Sequence, residues 1–156
     1  MSAELIESAP RPPQLRGVVM SISPATLDQY WAAVSGTLQI MEQWTQLLCA
    51  ADIYRCLADG RMQLWAVFDH AGSLALAITR IAQSSRGSIC TVWLVSSQQN
   101  DDPSISAVLD TCESFARQQG CVVFEINAPP PWANRIKGKL TAVTIERDLR
   151  PARGVN

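Results

Sequence analysis

A chain of 156 residues is long enough for one substantial core, and an apolar fraction of 47% excludes whole-chain disorder. The net charge of −1 gives no electrostatic reason to expect nucleic acid or an anionic membrane as partner. Five cysteines, none in a CxxC pair, and one histidine exclude ordinary zinc-ligand spacing, and no metal site is expected.

Residues 1–15 are polar and rich in proline (Pro10, Pro12, Pro13), and read as a flexible arm. The arm carries two glutamates and no apolar segment, so a signal peptide is not expected. No run approaches the ~20 apolar residues of a membrane span. With the unpaired cysteines, which sit in apolar runs like small core residues, this points to a soluble chain of a reducing compartment.

A single domain is expected over residues 16–149, followed by a loose tail over 150–156. Arg16 to Ile22 forms a short edge strand. Ser23-Pro24 is a helix-start pair, a hydroxyl acceptor followed by a proline at the first helical position. Leu27, Tyr30, Trp31, Val34, Leu38 and Met41 then fall on one helical face. Gly36 interrupts that run and marks a kink or a break. A second helix covers Ala51–Ala58 and closes at Asp59-Gly60.

Met62 to Val95 holds three apolar runs separated by turn residues, Asp69-His70-Ala71-Gly72 and Ser84-Ser85-Arg86-Gly87. Short breaks between strand-like runs predict an antiparallel meander. Leu64–Phe68, Leu74–Ile81 and Ile89–Val95 are apolar on both faces, so helices should cover both faces of the sheet. Asp102-Pro103 starts a further helix, whose stripe is Ile105, Val108, Leu109, Cys112 and Phe115 and whose end is Gly120. Cys121 to Ile126 is a strand, and the crossover before it makes it parallel to its neighbour. Pro129-Pro130-Pro131 leads to a short helix at most, and Leu140 to Leu149 reads as a last strand. The fold class is α+β, an α/β sandwich with a mixed, mostly antiparallel sheet.

This order resembles the GNAT (N-acetyltransferase) superfamily, over roughly residues 27–149. Asp52-Ile53, Gly60, Met62-Gln63-Leu64-Trp65, Phe115-Ala116-Arg117, Gly120-Cys121, Trp132 and Arg147-Asp148-Leu149 resemble the GNAT-like proteins of tailed phages in particular. The superfamily holds the pyrophosphate of acetyl-CoA on backbone N–H groups of a glycine-containing loop between the third meander strand and the next helix. The matching segment here is Ser96, Ser97, Gln98, Gln99, Asn100, Asp101, Asp102, Pro103 and Ser104. It contains no glycine, sets two carboxylates at the helix start and loses one N–H donor to Pro103.

The resemblance also implies a glutamate near the meander as general base and a tyrosine after the late helix as general acid. No glutamate lies between Met62 and Val95, and both tyrosines, Tyr30 and Tyr54, precede the meander. Glu125 is the acid inside the Cys121–Ile126 strand and the first candidate base, against the plainer reading of a solvent-facing or paired carboxylate. His70 is the second candidate and reads more simply as a turn residue. Ser96 and Ser97 have no second histidine to activate them. Trp31, Trp65 and Trp93 are expected to pack in the core, whereas Trp132, after Pro130 and Pro131 on a loop, is the candidate partner contact.

The expectation from sequence is therefore a GNAT-like fold without its catalytic equipment and without a cofactor. It would be a phage-encoded structural or virion-associated component, binding other virion or assembly proteins or copies of itself. Its location would be the host cytoplasm during assembly and then the virion. The alternatives are an active acetyl-CoA-dependent N-acyltransferase, with the loop Ser96–Asn100 holding the cofactor, and a small-ligand-binding module.

Overall fold

A computed structural model describes residues 18–42, 49–68, 74–96 and 102–128, together with residues 136 and 147. Eight elements follow one another in these segments: β1 (Met20–Ile22), α1 (Leu27–Met41), α2 (Ala50–Ala58), β2 (Gln63–Phe68), β3 (Leu74–Ser84), β4 (Gly87–Ser96), α3 (Asp102–Gln118) and β5 (Val123–Asn127). The strands form one sheet in the order β1-β2-β3-β4-β5. β1 to β4 pair antiparallel, and β5 joins β4 in parallel after the α3 crossover.

The sheet separates two cores, as strands apolar on both faces require. On one face Leu27, Val34 and Leu38 of α1 and Ile53 and Leu57 of α2 pack against Leu64, Leu76, Ile78 and Val95. On the other, Ile105, Val108, Leu109, Cys112 and Ala116 of α3 pack against Val67, Ala75, Ala77, Cys90, Val92 and Leu94. Alternate residues of β4 thus serve opposite layers. Trp65, Trp31 and Trp93 are half-buried and pack against these cores, as expected.

Two helix details differ from the sequence reading. α1 does not begin at Ser23-Pro24. Those residues form a separate turn in which Thr26 N–H donates to the Ser23 carbonyl at 3.1 Å, and the helix starts at Leu27. The Ser23 hydroxyl meets Thr26 Oγ1 at 3.1 Å instead of capping the helix. Nor does Gly36 break α1, which runs through it; the position is exposed, with open space where a Cβ would stand. α2 closes as expected, with Gly60 at φ 75° and Arg61 N–H donating to the Cys56 carbonyl at 2.9 Å.

β3 is longer than its apolar run, because Arg80 to Ser84 continue the hairpin with β4 beyond the last β2 pair, Gln63–Thr79. Neither Ser85 nor Arg86 takes positive φ, and Gly87 supplies φ 124° after the turn. The Ser84 hydroxyl fixes it, donating to the Gly87 carbonyl at 2.8 Å and accepting from Arg86 N–H at 3.1 Å.

Of the cysteines, Cys90 and Cys112 are core residues, whereas Cys49, Cys56 and Cys121 are only half-buried. The Cys49 thiol donates to Asp52 Oδ2 at 3.0 Å. The first meander turn, residues 1–15, the late helix and strand, and the tail lie outside the described residues.

Candidate functional site

Among the described residues the sheet opens between β4 and β5. The two strands pair over five residues, from Ile89–Val123 to Trp93–Asn127. β5 then ends, while β4 runs on through Leu94, Val95 and Ser96, still paired with β3 on its other side. Along those residues the backbone of β4 facing away from β3 has no strand partner among the described residues. Such an edge accepts an extended, amide-bearing chain by backbone hydrogen bonds.

Glu125 stands two residues before this divergence, on the face that carries α1 and α2. Its neighbours on β5, Phe124 and Ile126, turn the other way, into the α3 core. Thr91, its register partner on β4, donates from Oγ1 to Glu125 Oε2 at 3.4 Å. The carboxylate is exposed, so it is open to a substrate and to water. Arg80 follows in the same row on β3, and its Cζ lies 5.3 Å from the ring centroid of Trp93.

Sequence reasoning singled out Glu125 but missed Thr91 and Arg80. Their signal was a polar residue at a sheet-facing position of an otherwise apolar strand. His70, Ser97, Gln98, Gln99, Asn100, Pro130, Pro131 and Trp132 lie outside the described residues. Ser96 is the last residue of β4, its backbone opposite Ala75. α3 begins at Asp102.

Tyr54 faces α1 and serves the scaffold. Its hydroxyl donates to Asp28 Oδ1 at 2.6 Å, which raises its pKa, and its ring meets Trp31 edge-on at 4.9 Å. A groove of about 220 Å³ lies at the other end of β5, between Glu113, Ala116 and Arg117 of α3 and residues Cys121 to Phe124. Its two charged residues form an exposed ion pair at 4.0 Å. It is separate from the strand divergence.

No family model matches the chain, and no curated protein matches it. Solved structures do. An aminoglycoside acetyltransferase from an uncultured soil metagenomic sample, in complex with trehalose, superposes with TM-score 0.62 at 7% identity, covering 85% of this chain and 96% of that one. The chain has the GNAT fold. A predicted acetyltransferase with acetyl-CoA from Clostridium acetobutylicum gives TM-score 0.59 at 11% identity, over 85% and 96% of the two chains. The ribosomal-protein-alanine N-acetyltransferase of Brucella melitensis gives 0.58 at 11%, over 84% and 99%. Identities this low establish the GNAT fold and leave the chemistry to the site. The three structures named are described as acetyltransferases, and nothing in the comparisons shows the phage resemblance or a virion role.

Proposed function

We propose that the chain is an N-acyltransferase that moves an acetyl group from acetyl-CoA to an amine. The observation that carries this is the divergence of β4 from β5 with an exposed carboxylate, Glu125, beside it. The backbone of Leu94–Ser96, without a β5 partner among the described residues, suits the two amides of a pantetheine arm, which could be held along β4. Acetyl-CoA supplies an activated acyl group as a thioester. Glu125 takes a proton from the acceptor ammonium, directly or through water, so that the amine is nucleophilic. On transfer the new C–N bond would replace the thioester C–S bond, and the sulfur would leave as a thiol, its proton balanced by the one the amine nitrogen gives up on becoming an amide. Thr91 donates to this carboxylate and would help orient it toward the amine.

A second reading, a GNAT fold that binds partners without catalysis, rests on Asp101, Asp102 and Pro103 in the sequence. Carboxylates next to a helix N-terminus oppose an anion there.

The deciding experiment uses Glu125→Gln. With acetyl-CoA and a mixture of simple amines, release of free thiol by the wild-type chain should fall 10²- to 10⁴-fold in the variant. Acetyl-CoA binding should be retained. An unchanged rate in the variant removes Glu125 from the mechanism, and no thiol release from either chain supports the second reading.

A further inference from the structure

Glu125 belongs to a polar row that crosses three strands. Arg80, Thr91 and Glu125 are register partners on β3, β4 and β5. With neighbouring strands about 4.8 Å apart, the Arg80 and Glu125 backbones stand about 10 Å from each other on one face. The two ends of the row carry opposite charge, and both side chains are exposed.

The cationic end is built on a support. Trp93 packs against the α1–α2 core, half-buried, and the Arg80 guanidinium lies over its ring. A guanidinium drawn to a ring by cation–π attraction keeps N–H donors for a carboxylate, and arginine can bind two oxygens at once. Among the described residues no carboxylate pairs with Arg80. Trp93 is also half of the last β4–β5 pair, so the stacked arginine stands at the mouth of the divergence.

We propose that this row recognises the acyl acceptor, and that the acceptor is a small, amino-acid-like molecule carrying both an amine and a carboxylate. Arg80 binds the carboxylate and Glu125 receives the ammonium. A plain monoamine leaves Arg80 unused, and an acidic molecule without an amine meets Glu125 with the wrong charge. The assignment of this amine as the acceptor rests on the acyltransferase reading; the binding of the zwitterion does not.

Calorimetric titration of the full chain with glycine, β-alanine, 4-aminobutanoate and 6-aminohexanoate, each against its primary amide, tests the proposal. At least one acid should bind tenfold or more tightly than its amide. That preference should vanish in Arg80→Gln and return in part in Arg80→Lys, with the unfolding midpoint of both variants unchanged. Equal binding of acid and amide, or an acid preference that survives Arg80→Gln, overturns the proposal, as does failure of every acid to bind. Titration with acetyl-CoA separates the two ideas. Donor binding without acid preference removes the recognition row alone; acid preference without donor binding keeps the row and removes the acyltransferase reading.

Discussion

Thr79 offers a perturbation whose size follows from the structure. It is fully buried on β3, one of two buried polar residues among those described. Its hydroxyl accepts from Trp65 Nε1 at 3.0 Å and donates to Gln63 Oε1 at 2.9 Å. Thr79→Val keeps shape and volume while deleting both bonds. Trp65 and Gln63 are only half-buried, so water recovers part of the loss. Two neutral hydrogen bonds at about 1 kcal/mol each set the expected destabilisation at about 2 kcal/mol. In a chain of this length that corresponds to a melting point lower by about 4–8 °C. Trp65 also packs on Phe115 of α3, with ring centroids 5.1 Å apart, so the loss should loosen α3 against the sheet. Urea unfolding followed by circular dichroism measures it, and an unchanged denaturant slope confirms that only stability moved. In a Trp65→Phe background the same substitution should cost roughly half as much, because one partner is already gone. A cost below about 0.5 kcal/mol in the wild-type background, against the bond energy used here, would refute the hydroxyl's bridging role.

Three further outcomes follow from other positions. Gly87→Ala should destabilise by about 1–3 kcal/mol, since φ is 124° and a Cβ would stand 3.1 Å from Val122 Cγ2; pairing it with Val122→Ala should recover only the steric part in a urea titration. Gly36→Ala, at an exposed helical position with open space around it, should stabilise by about 0.5–1 kcal/mol in the same assay. Burial, with a smaller contribution from Cys121, pushes the Cys90 thiol from its ordinary value of 9.0 up to about 11. The folded state therefore keeps a proton that the unfolded chain releases. The thiol's contribution is complete below pH 9 and is lost as pH rises toward 11, so stability should fall across that window and fall less in Cys90→Ala.

Much of the scaffold was legible because burial writes itself into periodicity. The α3 stripe from Ile105 to Phe115 and the doubly apolar meander strands could serve no other arrangement than a sheet covered on both faces. Segments without a buried face were less readable. Arg80 to Ser84 extend β3 beyond its β2 partner, and the exposed residues Arg80 and Ala82 to Ser84 break the apolar run there. Ser23-Pro24 has the chemistry of a cap, but the chain uses it in a turn before α1. The candidate site was only half legible. Glu125 stood out as an acid in an apolar strand, whereas Arg80 and Thr91 join it through strand register. Register sets Thr91 beside Glu125, 34 positions apart in sequence, and no local pattern encodes it.

The central claim, that β4 and β5 open to hold an acyl-CoA, is tested most directly by thermal unfolding of the full chain with and without acetyl-CoA. A ligand at a hundred times its dissociation constant adds about 2.7 kcal/mol to the stability of the state that binds it. The account predicts a melting point raised by roughly 5–11 °C at saturating acetyl-CoA, in wild type and in Glu125→Gln alike. No shift at millimolar acetyl-CoA would contradict it.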